Sequence, residues 1–290
     1  MIVSRLLGGL GNQLFQYAAG RALAIRHGTE LRLDTAAFDG YPLRPYALDH
    51  LCIEGALLSD AERRALGIRR VPTSRFGRLA GRLFSAAALP VVRERSFEFD
   101  PEVLNAPETC YLQGHWQSPK YFAAVEAQIR RELSVRDPLA GQNLEAAGCI
   151  AACPAVSVHV RRGDYAANPA TNRYHGTCGP EYYAAAETLL QGEVGDLQLF
   201  VFSDDPDWAA EKLRFRSQMT VFRHNGPKRD YEDLRLMTLC RHHIIANSTF
   251  SWWGAWLCPH PGKIVVAPKK WFKDANHGTA DLIPREWRTI

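Results

Sequence analysis

Two adjacent arginines, Arg161 and Arg162, close the apolar run from Ala155 to Val160 and are followed by Gly163 and Asp164. In an extended strand successive side chains alternate between faces. Val156, Val158 and Val160 then share one side, and Ser157, His159 and Arg161 the other. Arg161 sits at the carboxyl end of the strand on the side of His159, while Arg162 points the opposite way. An arginine so placed can fork onto a phosphate through charge-assisted hydrogen bonds of about 1.5–3 kcal/mol each, while its neighbour ties down the turn through a carboxylate such as Asp164. The alternative is a solvated charge cluster in a loop. An Arg-Gly-Asp adhesion loop would need an exposed segment in a secreted chain, and the buried character of the preceding run argues against it.

Three other stretches carry polar residues at the ends of apolar runs. Gly8-Gly9-Leu10-Gly11-Asn12-Gln13 separates a first strand from a first helix. Backbone N–H groups and the helix dipole can hold an anion there, with Asn12 and Gln13 offering amides, or the segment is simply a tight turn. It lacks the third glycine of a dinucleotide fingerprint, since Leu14 and Phe15 stand in its place. Asn247, Ser248, Thr249 and Ser251 lie between a strand and a tryptophan-rich helix, where hydroxyls and free N–H groups suit ribose or phosphate, or an ordinary N-cap. Trp252, Trp253 and Trp256 read as core. The Asn247-Ser248-Thr249 glycosylation sequon is not expected to be used at a strand end. Asp204, Asp205 and Asp207 follow the run from Leu197 to Phe202. They suit nucleotide contact or helix capping, with Asp205 and Asp207 also matching an Asp-x-Asp metal pattern.

These residues need elements that bring them together. The runs at 155–160, 197–202, 242–246 and 263–267 are apolar enough to imply strands covered on both faces, hence a parallel sheet whose carboxyl ends gather the polar clusters. Residues 2–7, a helix closed by Gly28 and an alternating segment from Thr29 to Asp34 form a second strand–helix–strand unit. A helix is expected over 121–133, and a linker or an exposed turn after a helix over about 138–154. Residues 35–115 give no clear pattern. The expected domains are 1–150 and 151–290.

Composition narrows the class further. The chain has 290 residues, 46% of them hydrophobic, and a net charge of +4, which suits two α/β domains and an anionic small ligand better than nucleic acid. The first residues read as a core strand, not a signal peptide, and seven scattered cysteines do not form a disulfide framework, so a reducing, cytoplasmic location is expected. Cys149 and Cys153 lack a second pair for zinc. Zinc-protease, serine-hydrolase and P-loop motifs are missing from the sequence.

With GGLGNQLFQYAAG at 8–20, HWQSPKYF at 115–122, HVRRGDY at 159–165, FSDD at 202–205, ANSTFSWWGAWL at 246–257 and DLIPREW at 281–287, the chain resembles the α-1,2-fucosyltransferases of glycosyltransferase family 11. The match is poorest over 40–110. The resemblance implies a GT-B architecture of two Rossmann-like domains facing a cleft. It implies an acceptor-side N-terminal domain, a C-terminal domain for GDP-fucose, and a last helix that returns to the N-terminal domain. It further implies inverting transfer of L-fucose to the 2-hydroxyl of a β-galactoside, with no cofactor and no metal. Carried over by position, Arg161 would neutralise the β-phosphate and Arg162 would be structural. His159, Asn12, Asp204 or Asp205, and Asn247, Ser248, Thr249, Phe250 and Ser251 would contact the donor. Asp164 is the candidate general base, or equally the salt-bridge partner of the arginines.

Outside the family match, residues 63–95 carry nine arginines against one glutamate. They suit either peripheral contact with an anionic membrane, where a lipid-linked acceptor would wait, or the solvated face of a helical insertion.

Overall fold

The structure is a computed structural model and describes residues 1–39, 45–68, 89–163, 176–273 and 278–290. The chain forms two compact units. The first comprises Met1–Asp49 with Ile53–Leu133, and the second His50–Cys52 with Ser134–Ile290.

In the first unit β1 (Ile2–Arg5) leads into α1 (Leu10–His27) and β2 (Leu31–Asp34). Gly28 ends the helix at φ 60°, where its N–H can turn back to the carbonyls of Ala24 and Ile25. Then come β3 (Ala56–Leu57), α2 (Asp60–Ala65), β4 (Val91–Arg93), β5 (Cys110–Gln113) and α3 (Glu126–Glu132). The strands form one sheet in the order β3-β2-β1-β5-β4, parallel throughout. Ser59 and Glu62 cap α2 reciprocally. The buried Arg63 of that helix meets Asp34 at 2.6 Å, and Asp34 also accepts the Tyr111 hydroxyl at 2.8 Å. One charge pair thereby joins α2, β2 and β5.

The second unit begins with α4 (Gly141–Ala151) and β6 (Ala155–Val160), followed by α5 (Pro180–Val194), β7 (Gln198–Ser203), α6 (Pro206–Lys212) and β8 (Gln218–Val221). It ends with α7 (Asp230–Leu239), β9 (His242–Ile244), α8 (Thr249–Leu257), β10 (Val265–Ala267) and β11 (Arg288–Thr289). Its sheet runs β11-β10-β9-β6-β7-β8, again parallel. Val156, Val158 and Val160 pack with Tyr183 and Leu190 of α5. Ala155, Phe200 and Phe202 pack with Ile150 of α4 and with Leu236 and Met237 of α7. Helices on both faces are the reason these strands are apolar on both sides.

Several expectations are corrected. Residues 138–154 are not a linker, because α4 occupies most of the stretch and buries Ala146 and Ile150. Its glycines and alanines hide the helical period. The segment from 121 is not one helix but short turns at Pro119–Tyr121 and Ala123–Val125 before α3. Residues 278–290 hold no helix. They end in β11, paired with β10 of the second unit. Much of the arginine-rich stretch, 69–88, lies outside the described residues. Of its ends, Arg63 is buried on Asp34 and Asp60 and Arg95 pairs with Asp100 at 2.6 Å.

Candidate active site

In the second sheet β6 lies between β7 and β9, so the chain leaves its first strand in one direction and returns on the other side. Ligands of open parallel sheets bind beyond the carboxyl ends of the strands at such a switch point. Three loops arise there: Arg161–Gly163 after β6, Asp204–Asp205 after β7 and Ile245–Ser248 after β9.

Asp204 joins the first two. Its Oδ2 lies 2.8 Å from Arg161 Nη1, and its Oδ1 accepts the backbone N–H of Arg162 at 2.8 Å. A Cβ on Gly163 would come within 2.7 Å of Oδ2, so the carboxylate occupies space that only glycine leaves open. Arg162 goes elsewhere. Its guanidinium lies 3.9 Å from the ring centre of Trp208, and its Nε is 3.6 Å from Asp205 Oδ2. Strand alternation therefore sends the two guanidinium groups to different partners, and among the described residues the carboxylates beside them are Asp204 and Asp205. Asp164 lies outside the described residues.

Asp205 caps α6, accepting the Trp208 N–H at 3.2 Å, and Asp207 pairs with Arg223 at 2.5 Å. The two carboxylates of the Asp-Pro-Asp sequence are thus drawn to different cations and do not converge on one point. Trp208 was not singled out from the sequence. Its signal is the position three residues beyond a capping aspartate, which turns the indole back toward the end of β6.

His159 is buried beside this cluster, 5% exposed. Its carbonyl accepts the Tyr183 hydroxyl at 3.2 Å and its ring lies 5.2 Å from that of Phe250. Nδ1 has no hydrogen-bond partner among the described residues. Burial pushes the imidazole down to about 4, with Arg161 adding to the effect and Asp204 opposing it. His159 is therefore neutral near pH 7 and available for a neutral hydrogen bond.

In the loop after β9, Asn247 and Ser251, expected to touch the donor, also use their side chains on partners within the fold. Asn247 Nδ2 donates to the carbonyls of Gly176 and Trp271, and its Oδ1 accepts a weak bond from the Cys178 thiol at 3.7 Å. Ser251 Oγ accepts the Ala246 N–H at 2.9 Å. Both residues shape the loop, because a buried amide and hydroxyl must find partners within the fold. Ser248 is the N-cap residue of α8 and its side chain makes no capping bond. Thr249 and Phe250 are half-buried at the start of the helix. Trp252, Trp253 and Trp256 are core residues, as expected.

Asn12 belongs to the first unit. It is half-buried and its Oδ1 accepts from Gln117 Nε2 at 3.1 Å. Gln13 is fully buried and spends its amide on the carbonyls of Gly8 and Pro45 and the N–H of Ala47. It is a brace for the following loop.

The model of glycosyl transferase family 11 matches residues 95–290. The chain is 32% identical to an alpha-1,2-colitosyltransferase of Escherichia coli, covering 100% of this chain and 99% of that protein. It is 30% identical to the O-antigen biosynthesis glycosyltransferase WbnK of Escherichia coli, covering 94% and 95%. A mutant of Arabidopsis thaliana FUT1, solved in complex with GDP, superposes with a TM-score of 0.50 at 11% identity over 93% of this chain and 71% of that one. At that identity the likeness concerns the fold alone, which is of the GT-B type.

Proposed function

Because this chain belongs to glycosyltransferase family 11, we propose that it moves L-fucose from GDP-fucose to the 2-hydroxyl of a terminal β-galactose, with inversion and without a metal ion. The observation that carries this reading is Arg161, held by Asp204 at the switch point of the second sheet. As the acceptor oxygen bonds the anomeric carbon, the bond to the β-phosphate oxygen breaks and its electron pair stays on GDP. A preorganised guanidinium stabilises that developing charge more than it stabilises the bound donor. The N-terminus of α8, with Ser248, Thr249 and Phe250, is assigned to the nucleotide. His159 lines the donor pocket, and Asn12 is assigned to the pyrophosphate from the first unit. The acceptor proton goes to a base, for which Asp164 is the candidate.

A second donor is supported by the full-length likeness to a colitosyltransferase. Colitose is the 3-deoxy counterpart of L-fucose, and the same leaving group would need the same arginine. The deciding experiment incubates GDP-fucose and GDP-colitose separately with a panel of β-galactosides, with and without EDTA, and assigns the new linkage by NMR. A 2-linked fucosyl galactoside formed equally in EDTA is the expected product. Preference for colitose favours the second donor. Activity lost in EDTA and restored by manganese would point to a metal-dependent transferase, and glycan binding without GDP release to a non-catalytic module.

A further inference from the structure

The first sheet has its own switch point, between β1 and β5. Beyond β5 the chain makes a turn at Gly114-His115-Trp116-Gln117, and beside it Glu94 directly follows β4. Both oxygens of the Glu94 carboxylate are used there: Oε2 accepts the N–H of His115 at 2.7 Å and Oε1 that of Trp116 at 2.8 Å. A Cβ on Gly114 would lie 2.5 Å from Glu94 Cβ, so the carboxylate reaches the turn only because position 114 is bare. Trp116 is held at φ 56°, the one non-glycine residue with positive φ among the described residues. For a fully buried indole that is a strained backbone.

The same three residues carry unpaired polar atoms. His115 Nδ1, Trp116 Nε1 and Gln117 Oε1 are buried and have no hydrogen-bond partner among the described residues. Backbone strain together with three orphaned groups in one tripeptide is not a packing solution, because ordinary cores satisfy such atoms. Next to them are aromatic faces. Phe97 lies parallel to the His115 ring, 9° apart in plane with centroids 6.3 Å apart, and both rings are half-buried. Gln117 also reaches Asn12 in the first turn of α1.

We propose that the His115–Trp116–Gln117 turn and Phe97 form the subsite that binds the neutral sugar ring of the acceptor, with Glu94 as the positioning residue that holds the turn. The inference rests on the glycosyl-transfer reading and names residues for the acceptor. A sugar presents C–H faces that pack on aromatic rings and hydroxyls that both donate and accept. The half-buried rings of Phe97 and His115 present such a face, and the unpaired Trp116 Nε1 and Gln117 Oε1 lie buried behind it as one donor and one acceptor. Burial pushes the His115 imidazole down, with Glu94 opposing and Arg5 adding to the effect, which favours a neutral ligand over a phosphate.

Saturation-transfer NMR of the whole protein with lactose, without donor, and initial rates with GDP-fucose and lactose test the assignment on Phe97→Ala, Phe97→Tyr, His115→Ala and Glu94→Gln. Melting curves identify any variant that fails to fold. Phe97→Ala and His115→Ala are expected to raise the lactose KM about 10-fold or more while the donor KM and kcat stay within about 2-fold, the pattern of lost uniform binding. Phe97→Tyr keeps the ring and restores the KM. Glu94→Gln raises the lactose KM with the donor KM unchanged, a split that simple destabilisation would not produce. An unchanged lactose KM, or a rise in the donor KM instead, overturns the assignment. If the wild-type protein transfers no sugar, the function proposed above fails and the NMR arm decides alone. Saturation transfer to lactose that disappears in Phe97→Ala supports the subsite, and equal transfer in both proteins, or none in either, overturns it.

Discussion

Asp204 is the residue on which the arrangement at β6 turns, since one carboxylate fixes the Arg161 guanidinium and the Arg162 N–H together. Arg161→Ala is expected to lower kcat by about 10²-fold or more, as loss of a transition-state charge stabiliser does, with a melting curve close to wild type. Near-normal turnover in that variant would refute the assignment. Gly163→Ala tests the same geometry without touching a charge. The new methyl would come within 2.7 Å of the Asp204 carboxylate and could be accommodated only by moving it off Arg161 and the Arg162 N–H, so kcat should fall while Arg161 remains. Arg162→Ala should instead act on stability. It forfeits the stacking on Trp208, about 0.5–2 kcal/mol for a cation over an aromatic face, and a double-mutant cycle with Trp208→Leu would read the coupling. The different placement of the two guanidinium groups was legible because strand alternation is local. Which aspartate braces which arginine was not, because Asp204 and Asp205 are chemically identical and meet the arginines only through the pairing of β6 with β7.

At the scale of elements, β6, β7, β9 and β10 were legible because helices cover both sheet faces and leave continuous apolar runs. The strands β3, β4 and β11 are two or three residues long, and each lies at an edge of its sheet. Such strands are defined by pairing with a neighbour, and no period in the sequence marks them. The loop after β9 shows the converse limit. Its polar residues were correctly placed at the helix start, yet hydroxyl and amide chemistry does not say which side chains turn inward. Asn247 does so, tying together the backbones of Gly176 and Trp271. Asn247→Ala would leave those carbonyls without their buried donor, at a cost of about 1–3 kcal/mol. A lowered urea midpoint is the expected result, and an unchanged midpoint with impaired GDP binding would return Asn247 to the donor site.

At the scale of the whole molecule, buried titratable groups of the second unit set how stability depends on pH. Burial pushes His159 down to about 4 and His243 well below its ordinary value, so between roughly pH 4 and 6.5 the unfolded chain binds more protons at these sites than the folded one. Their contribution is present above that window and is lost as pH falls through it. Asp233 works the other way. Burial raises its carboxyl to about 6, so the folded state takes up a proton as pH falls from 6 toward 4 and gains stability. His159 and Asp233 each contribute on the order of 3 kcal/mol when fully titrated, with opposite signs. His243, fully buried with its Nδ1 against Ser157 at 2.7 Å, then tips the balance toward loss. The urea midpoint should be lower at pH 5 than at pH 7.5, and Asp233→Asn should steepen the loss because it removes the opposing contribution. A midpoint that rises on acidification, or a slope that Asp233→Asn leaves unaltered, would show that other groups govern the acid limb.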